Sequence, residues 1–78
     1  MVTIYTQEGC KFCTYLKSFL SEYAIDYTEK NLTKSEHHRN EFLDLGGRGV
    51  PLTIIDEDLY SGFSEELKIR LTKKKALG

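Results

Sequence analysis

The sequence predicts an α/β protein, a four-stranded mixed sheet with three helices in the order β-α-β-α-β-β-α. Three observations carry that prediction. Two apolar, β-branched runs, at residues 2–6 and 50–55, have the composition of buried strands. Apolar residues at 12, 16, 19, 20 and 23 form a stripe at helical spacing between them. The remaining patterned segments are short and separated by glycines and acidic turn residues.

Each element follows from its own residues. Val2, Thr3, Ile4, Tyr5 and Thr6 are all strand formers and run into Gln7, Glu8 and Gly9, so the first strand ends in a loop. The stripe from Phe12 to Tyr23 predicts a helix with one face packed on a sheet. From Ile25 to Lys30 the chain alternates Ile25, Tyr27 and Glu29 against Asp26, Thr28 and Lys30, a period of two suited to a short edge strand. Thr33 and Glu36 have the form of a capping box, and Phe42, Leu43 and Leu45 give the helix behind it an apolar face that ends at Gly46 and Gly47. The run 50–55 carries Pro51 near its start, where a missing backbone donor does least harm to a sheet. Asp56, Glu57 and Asp58 predict a turn, Leu59 and Tyr60 a fourth strand, and Ser64 the start of a last helix facing inward through Leu67 and Leu71. The first crossover should be right-handed and bring the first two strands parallel, with helices on both faces; the final hairpin makes the sheet mixed.

The 78 residues hold one domain, 1–78, with a modest core. With 40% hydrophobic and 29% charged residues and a formal charge of -1, no field favours nucleic acid or anionic lipid. The one basic run, Lys73, Lys74 and Lys75, ends a helical pattern that begins with Glu65 and Glu66, so it matches the helix dipole at both ends. No stretch approaches the roughly 20 apolar residues of a membrane span, and no secretion signal opens the chain. A cytoplasmic monomer is expected. In that reducing compartment closely spaced cysteines point to metal binding or redox chemistry rather than a permanent staple.

Cys10 follows a strand and a glycine at the point where the first helix begins, and Cys13 lies three residues on, in its first turn. Thiols at this spacing can close a disulfide. The unpaired N–H groups and partial positive charge of a helix N-terminus favour a thiolate, lowering its pKa from about 8.5 into roughly 3.5 to 7.5, and Lys11 adds a positive neighbour. The outer sulfur, Cys10, can attack a target disulfide, and the more buried Cys13 can resolve the mixed disulfide that results. Other readings are a structural zinc site, a staple and two incidental thiols. Zinc would need four ligands, with only His37 and His38 to add to the cysteines, and a loop this short gives a staple little entropy to remove. Adjacent His37 and His38 cannot share a helix face and are expected to be solvated.

A Cys-Lys-Phe-Cys pair opening a helix after a strand, then Gly49-Val50-Pro51 and Ser61-Gly62-Phe63-Ser64, resembles the glutaredoxin family over essentially the whole chain. Thr3-Ile4-Tyr5-Thr6 and Ser61-Gly62-Phe63 are similar to the NrdH-redoxin type within it. The resemblance implies a thioredoxin-like fold and a dithiol-disulfide oxidoreductase that reduces protein disulfides. Ribonucleotide reductase is the implied target, and thioredoxin reductase the implied electron source. It further implies a cis peptide bond before Pro51, with the Val50 backbone beside Cys10 to pair with a bound peptide, and substrate contacts from Lys11, Phe12, Arg48, Gly62, Phe63 and Ser64.

Glutathione is the alternative reductant and co-substrate. Relatives that use it often carry a basic residue three before the first cysteine, where this chain has Gln7, and a Gly-Gly-Cys-Asp-Asp-like turn where it has Gly62, Phe63, Ser64 and Glu65. Losing a cation and gaining Phe63 and Glu65 weakens the fit to a tripeptide with two carboxylates. Arg48, where relatives often hold the glycyl carboxylate, and Phe12, in place of their aromatic, favour that tripeptide. Phe63 could equally staple the last helix, and Arg48 could be a solvated loop cation. No bound metal or cofactor is expected beyond the Cys10–Cys13 disulfide itself, though cysteines so placed could also share an iron-sulfur cluster between two chains. Thioredoxin proper is disfavoured, since no tryptophan precedes Cys10 and Ile4 stands where thioredoxin has a buried acid.

Overall fold

Strand β1 (Val2–Thr6) lies inside the sheet because its two faces both have apolar work to do. Val2 and Ile4 enter one cluster and Tyr5 another, the alternation that a pleated strand imposes. The computed structural model describes residues 1–77, with side chains as far as Lys73; those of Lys74 and Lys75, two thirds of the expected basic helix end, lie outside the described residues. The other elements are α1 (Lys11–Glu22), β2 (Thr28–Asn31), α2 (Glu36–Asp44), β3 (Leu52–Ile55), β4 (Asp58–Ser61) and α3 (Glu65–Leu77). Sheet order is β2-β1-β3-β4, with β1 parallel to β2 and antiparallel to β3, and with β3 antiparallel to β4.

The larger cluster packs Leu16 and Leu20 of α1 and Leu67 and Leu71 of α3 on Val2, Ile4 and Ile55. The other face packs Phe42 of α2 on Tyr5, Leu32 and Leu52. Helices therefore cover both faces, and β2 takes the expected edge.

Local boundaries differ from the sequence expectation for physical reasons. Helix α1 ends in paired bonds from Ile25 N to Leu20 O (2.8 Å) and Ala24 N to Ser21 O (3.1 Å), with Ala24 at φ +53°. Ile25 thus belongs to the helix cap, and the β2 ladder starts only where Thr28 meets Thr3. Thr33 does not cap α2. Its hydroxyl accepts from Glu8 N at 3.0 Å, while Ser35 Oγ accepts from His38 N at 3.3 Å and is the N-cap. Phe12 and Tyr23, the outer members of the α1 stripe, are exposed, as are Leu43 of α2 and its C-cap Leu45, which leaves Phe42 as that helix's buried residue.

Helix α2 closes with Gly46 at φ +83°, a conformation glycine takes without a Cβ penalty, and with a bond from Gly47 N to Phe42 O. Strand β3 begins at Leu52 rather than Val50, and Asp58 pairs with Ile55, which shortens the predicted acidic turn to Asp56 and Glu57. Ser64 starts the last helix as expected, its Oγ accepting from Leu67 N at 3.3 Å. His37 is exposed and 3.9 Å from Glu41; His38, against expectation, is half-buried, with Nδ1 outside any hydrogen bond.

Candidate active site

The β1–α1 loop delivers two sulfurs to one helix terminus. Gly9, at φ +77°, supplies the left-handed turn that brings the chain from the sheet to the helix start. Cys10 is then the N-cap of α1, with extended backbone, and its Sγ accepts the N–H of Cys13 at 3.1 Å. That sulfur occupies the place usually taken by a hydroxyl or carboxylate oxygen, so it meets the donor end of the helix directly. Cys10 and Cys13 are joined as a disulfide, with their Cα atoms 5.2 Å apart. Cys10 is half-exposed and Cys13 is buried at 2% exposure, so the two sulfurs differ in access as their sequence positions imply.

The Val50–Pro51 peptide bond is cis, as the resemblance implies. Pro51 is buried, Val50 half-buried against the α2-side cluster, and Gly62 N donates to Pro51 O at 2.8 Å, which ties the start of β3 to the end of β4. Lys11 and Phe12 are exposed on the first turn of α1, where Phe12 meets Tyr15 edge-on at 5.8 Å. Arg48 is exposed on the loop between α2 and β3.

Phe63 is committed elsewhere in part. Its ring packs edge-on against Phe19 at 5.7 Å, and Lys68 lies over it at 4.8 Å. Counting from the Ser64 cap, Phe63 and Lys68 hold the two positions of a hydrophobic staple, here closed by a cation over a ring.

A cavity of about 310 Å³ opens beside the disulfide, lined by Cys10, Cys13 and Lys11 together with Thr6, Lys17 and Glu29. Sequence reasoning missed the last three. The available signal was register: Glu29 continues the series Ile25, Tyr27, whose first two members pack into the α1-side cluster, and it pairs with the inward-facing Ile4. Its Oε2 accepts from Thr6 Oγ1 at 2.7 Å and from Lys17 Nζ at 3.1 Å. Burial by itself would raise the Glu29 carboxyl. The hydrogen bonds from Thr6 and Lys17 and the charges of Lys17 and Lys34 outweigh it and hold the group below the usual glutamate range.

A depressed folded-state value has a definite sign for stability. The contribution of Glu29 is present above the unfolded glutamate value, about 4.3, and is lost as pH falls through the lower folded value. Glu29→Gln is therefore expected to be less stable than the parent at pH 7, with the gap closing below about pH 4. Urea unfolding of both proteins across pH 3–7 measures this. A gap that stays constant or widens on acidification would exclude the assignment.

Among the described residues no cluster of three or more His, Cys, Asp or Glu is placed to hold a metal ion. Nor is any described helix long and apolar enough to cross a membrane.

Comparison with known proteins agrees with this geometry. The glutaredoxin family model matches residues 2–60. The glutaredoxin-like protein NrdH of Lactococcus lactis subsp. cremoris is 32% identical over 63 residues, covering 81% of this chain and 88% of its own. The structure of the glutaredoxin-like NrdH-redoxin from Escherichia coli, described by its thioredoxin-like activity profile, superposes with a TM-score of 0.81 at 26% identity, covering 90% of this chain and 92% of that one. A crystal structure of a thioredoxin-like protein gives a TM-score of 0.83 at 30% identity, with 91% and 99% covered. Two cysteines one helical turn apart, set at the start of α1 in a fold shared with these proteins, make the chain a thiol-disulfide oxidoreductase that belongs to the glutaredoxin family, in its glutaredoxin-like NrdH type.

Proposed function

We propose that this chain is a dithiol electron donor to protein disulfides, with ribonucleotide reductase as its target and thioredoxin reductase as its own reductant. The observation that carries the reading is the unequal pair of sulfurs: an accessible Cys10 at the helix cap and a buried Cys13 behind it. In the reduced protein the Cys10 thiolate, supported by the helix N-terminus, attacks one sulfur of the target disulfide. The other target sulfur leaves and takes a proton. Cys13 then loses its proton and attacks Cys10, releasing the reduced target and leaving the Cys10–Cys13 disulfide, so two electrons have passed to the target. Val50, held next to the cis bond to Pro51, is the backbone we assign to pairing with the target peptide, and Lys11, Phe12, Arg48 and Gly62 are the flanking contacts.

Three features support thioredoxin reductase over glutathione. Gln7 offers no cation to a tripeptide carboxylate, and Phe63 is packed on Phe19 under Lys68. Ser64, engaged as a helix cap, has its hydroxyl already accepting a backbone N–H. NADPH oxidation measured side by side, with thioredoxin reductase and with glutathione plus its reductase, tests the choice. Turnover is expected to be at least about tenfold faster with thioredoxin reductase, a difference of about 1.4 kcal/mol in barrier height. Faster turnover with glutathione would assign the chain to the glutathione-dependent members of its family.

A further inference from the structure

The dithiol reading leaves open what governs the protonation of the second sulfur. Cys13 is 2% exposed, and the cavity beside it is the lined space that its side chain shares with charged groups. Lys17 stands four residues beyond Cys13, on the same face of α1, and Glu29 reaches across from β2 to take Lys17 at 3.1 Å while Thr6 fixes the same carboxylate oxygen at 2.7 Å. The remaining charges on the cavity are Glu8 and Lys11, both exposed at its mouth, and Glu8 is engaged by Asn31 Nδ2 at 2.9 Å. Lys34 acts on Glu29 from outside the cavity lining. Lys17 and Glu29, with side chains 38% and 30% exposed, are thus a cation and an anion locked together on the cavity wall that Cys13 shares.

We propose that the Lys17–Glu29 pair, held by Thr6, is the positioning device that sets the ionisation of Cys13. Lys17 favours the Cys13 thiolate and Glu29 opposes it; paired, they nearly cancel. The resting dithiol then keeps Cys13 protonated, so it does not oxidise before Cys10 has engaged a target. In the resolving step the Cys13 proton leaves to cavity water, Cys13 sulfur bonds to Cys10 sulfur, the Cys10–target bond breaks, and the target thiolate takes a proton from solvent. Glu29 is ionised throughout the neutral range, so the pair acts as fixed charges and not as a titrating switch. The proposal rests on the dithiol reading, but the titration that decides it needs neither target nor reductant.

The experiment is titration of Cys13 alone, in a Cys10→Ser background, by thiolate absorbance and by alkylation rate against pH. Glu29→Gln is expected to lower the Cys13 pKa by about one unit, tenfold in thiolate fraction, and Lys17→Gln to raise it by a similar amount. The double variant should return to within about 0.3 units of the parent, since both charges are gone. In the protein with both thiols, Glu29→Gln should speed resolution of the mixed disulfide about threefold at pH 7, the gain in thiolate being partly offset by its lower nucleophilicity. Shifts of the same sign, or shifts of both variants below about 0.2 units, overturn the proposal. A merely structural role would not give opposite signs. Should Glu29→Gln fail to fold, the direction of the Lys17→Gln shift decides by itself. Loss of target reduction with the predicted titrations intact would strike at the dithiol reading and leave this one standing.

Discussion

Cys10→Ser abolishes reduction of a protein disulfide, lowering turnover by about three orders of magnitude or more, because a hydroxyl at the helix cap does not ionise at neutral pH and cannot act as the sulfur nucleophile. Cys13→Ser gives a different failure. Cys10 still attacks, so one equivalent of target is captured as a mixed disulfide, but no second sulfur releases it and multiple turnover stops. Coupled NADPH oxidation with a target that requires both thiols measures the first effect. Non-reducing electrophoresis of the trapped adduct measures the second. The asymmetry follows from position: the half-exposed sulfur caps the helix, and the buried one lies within its first turn. A Cys10→Ser protein with parental activity would remove the basis of the assignment, and so would an adduct that forms on Cys13 in place of Cys10.

Much of this is legible in the amino-acid sequence. The β1 run and the α1 stripe carry strong periodicity, and the cysteines stand at the junction between them, so spacing alone places one sulfur at the cap and the other in the first turn. Misreadings occurred where two local signals competed for one residue. Thr33 and Glu36 fit a capping box, yet Asn31 Oδ1 accepts from both Thr33 N and Lys34 N, and the turn so formed moves the helix start to Ser35. Ile25 and Tyr27 keep strand periodicity outside the ladder because Ile25 closes the α1 cap. Leu43 and Leu45 fit an apolar helix face, but α2 is short and turns Phe42 alone into the core.

Glu29 was missed for a different reason. Periodicity searches count apolar residues, and a carboxylate in an inward register looks like the polar edge of a strand until its partners on β1 and α1 are known. The cis bond at Pro51 has no local signature in the residues around it. It was available only through likeness to a family.

The helix that presents the sulfurs is itself held by a small core, so Leu16→Ala is expected to be the most damaging substitution outside the cysteines. Leu16 is fully buried between α1 and the sheet, in contact range of the cluster formed by Ile4, Leu20, Ile55, Leu67 and Leu71. Removing three carbons there forfeits burial and leaves a cavity, at about 3 to 5 kcal/mol. A core built from 78 residues has little to lose, since small cores sit at the low end of a 5 to 15 kcal/mol range. At about 4 to 8 °C per kcal/mol, the melting temperature should fall by at least about 12 °C. Leu16→Met keeps the volume and is expected to cost less than about 1.5 kcal/mol. Urea midpoints at unchanged m-value separate a stability loss from a change in the unfolded state. Activity gives a further check on the coupling of core to site. Leu16 lies three residues after Cys13 on the same face of α1, so a loosened core frees the helix start, and the folded fraction of Leu16→Ala should react more slowly with target even where the fold persists. A loss under about 1 kcal/mol would mean that α1 is anchored chiefly by its cap and by the Lys17–Glu29 pair, and that the leucine face is secondary.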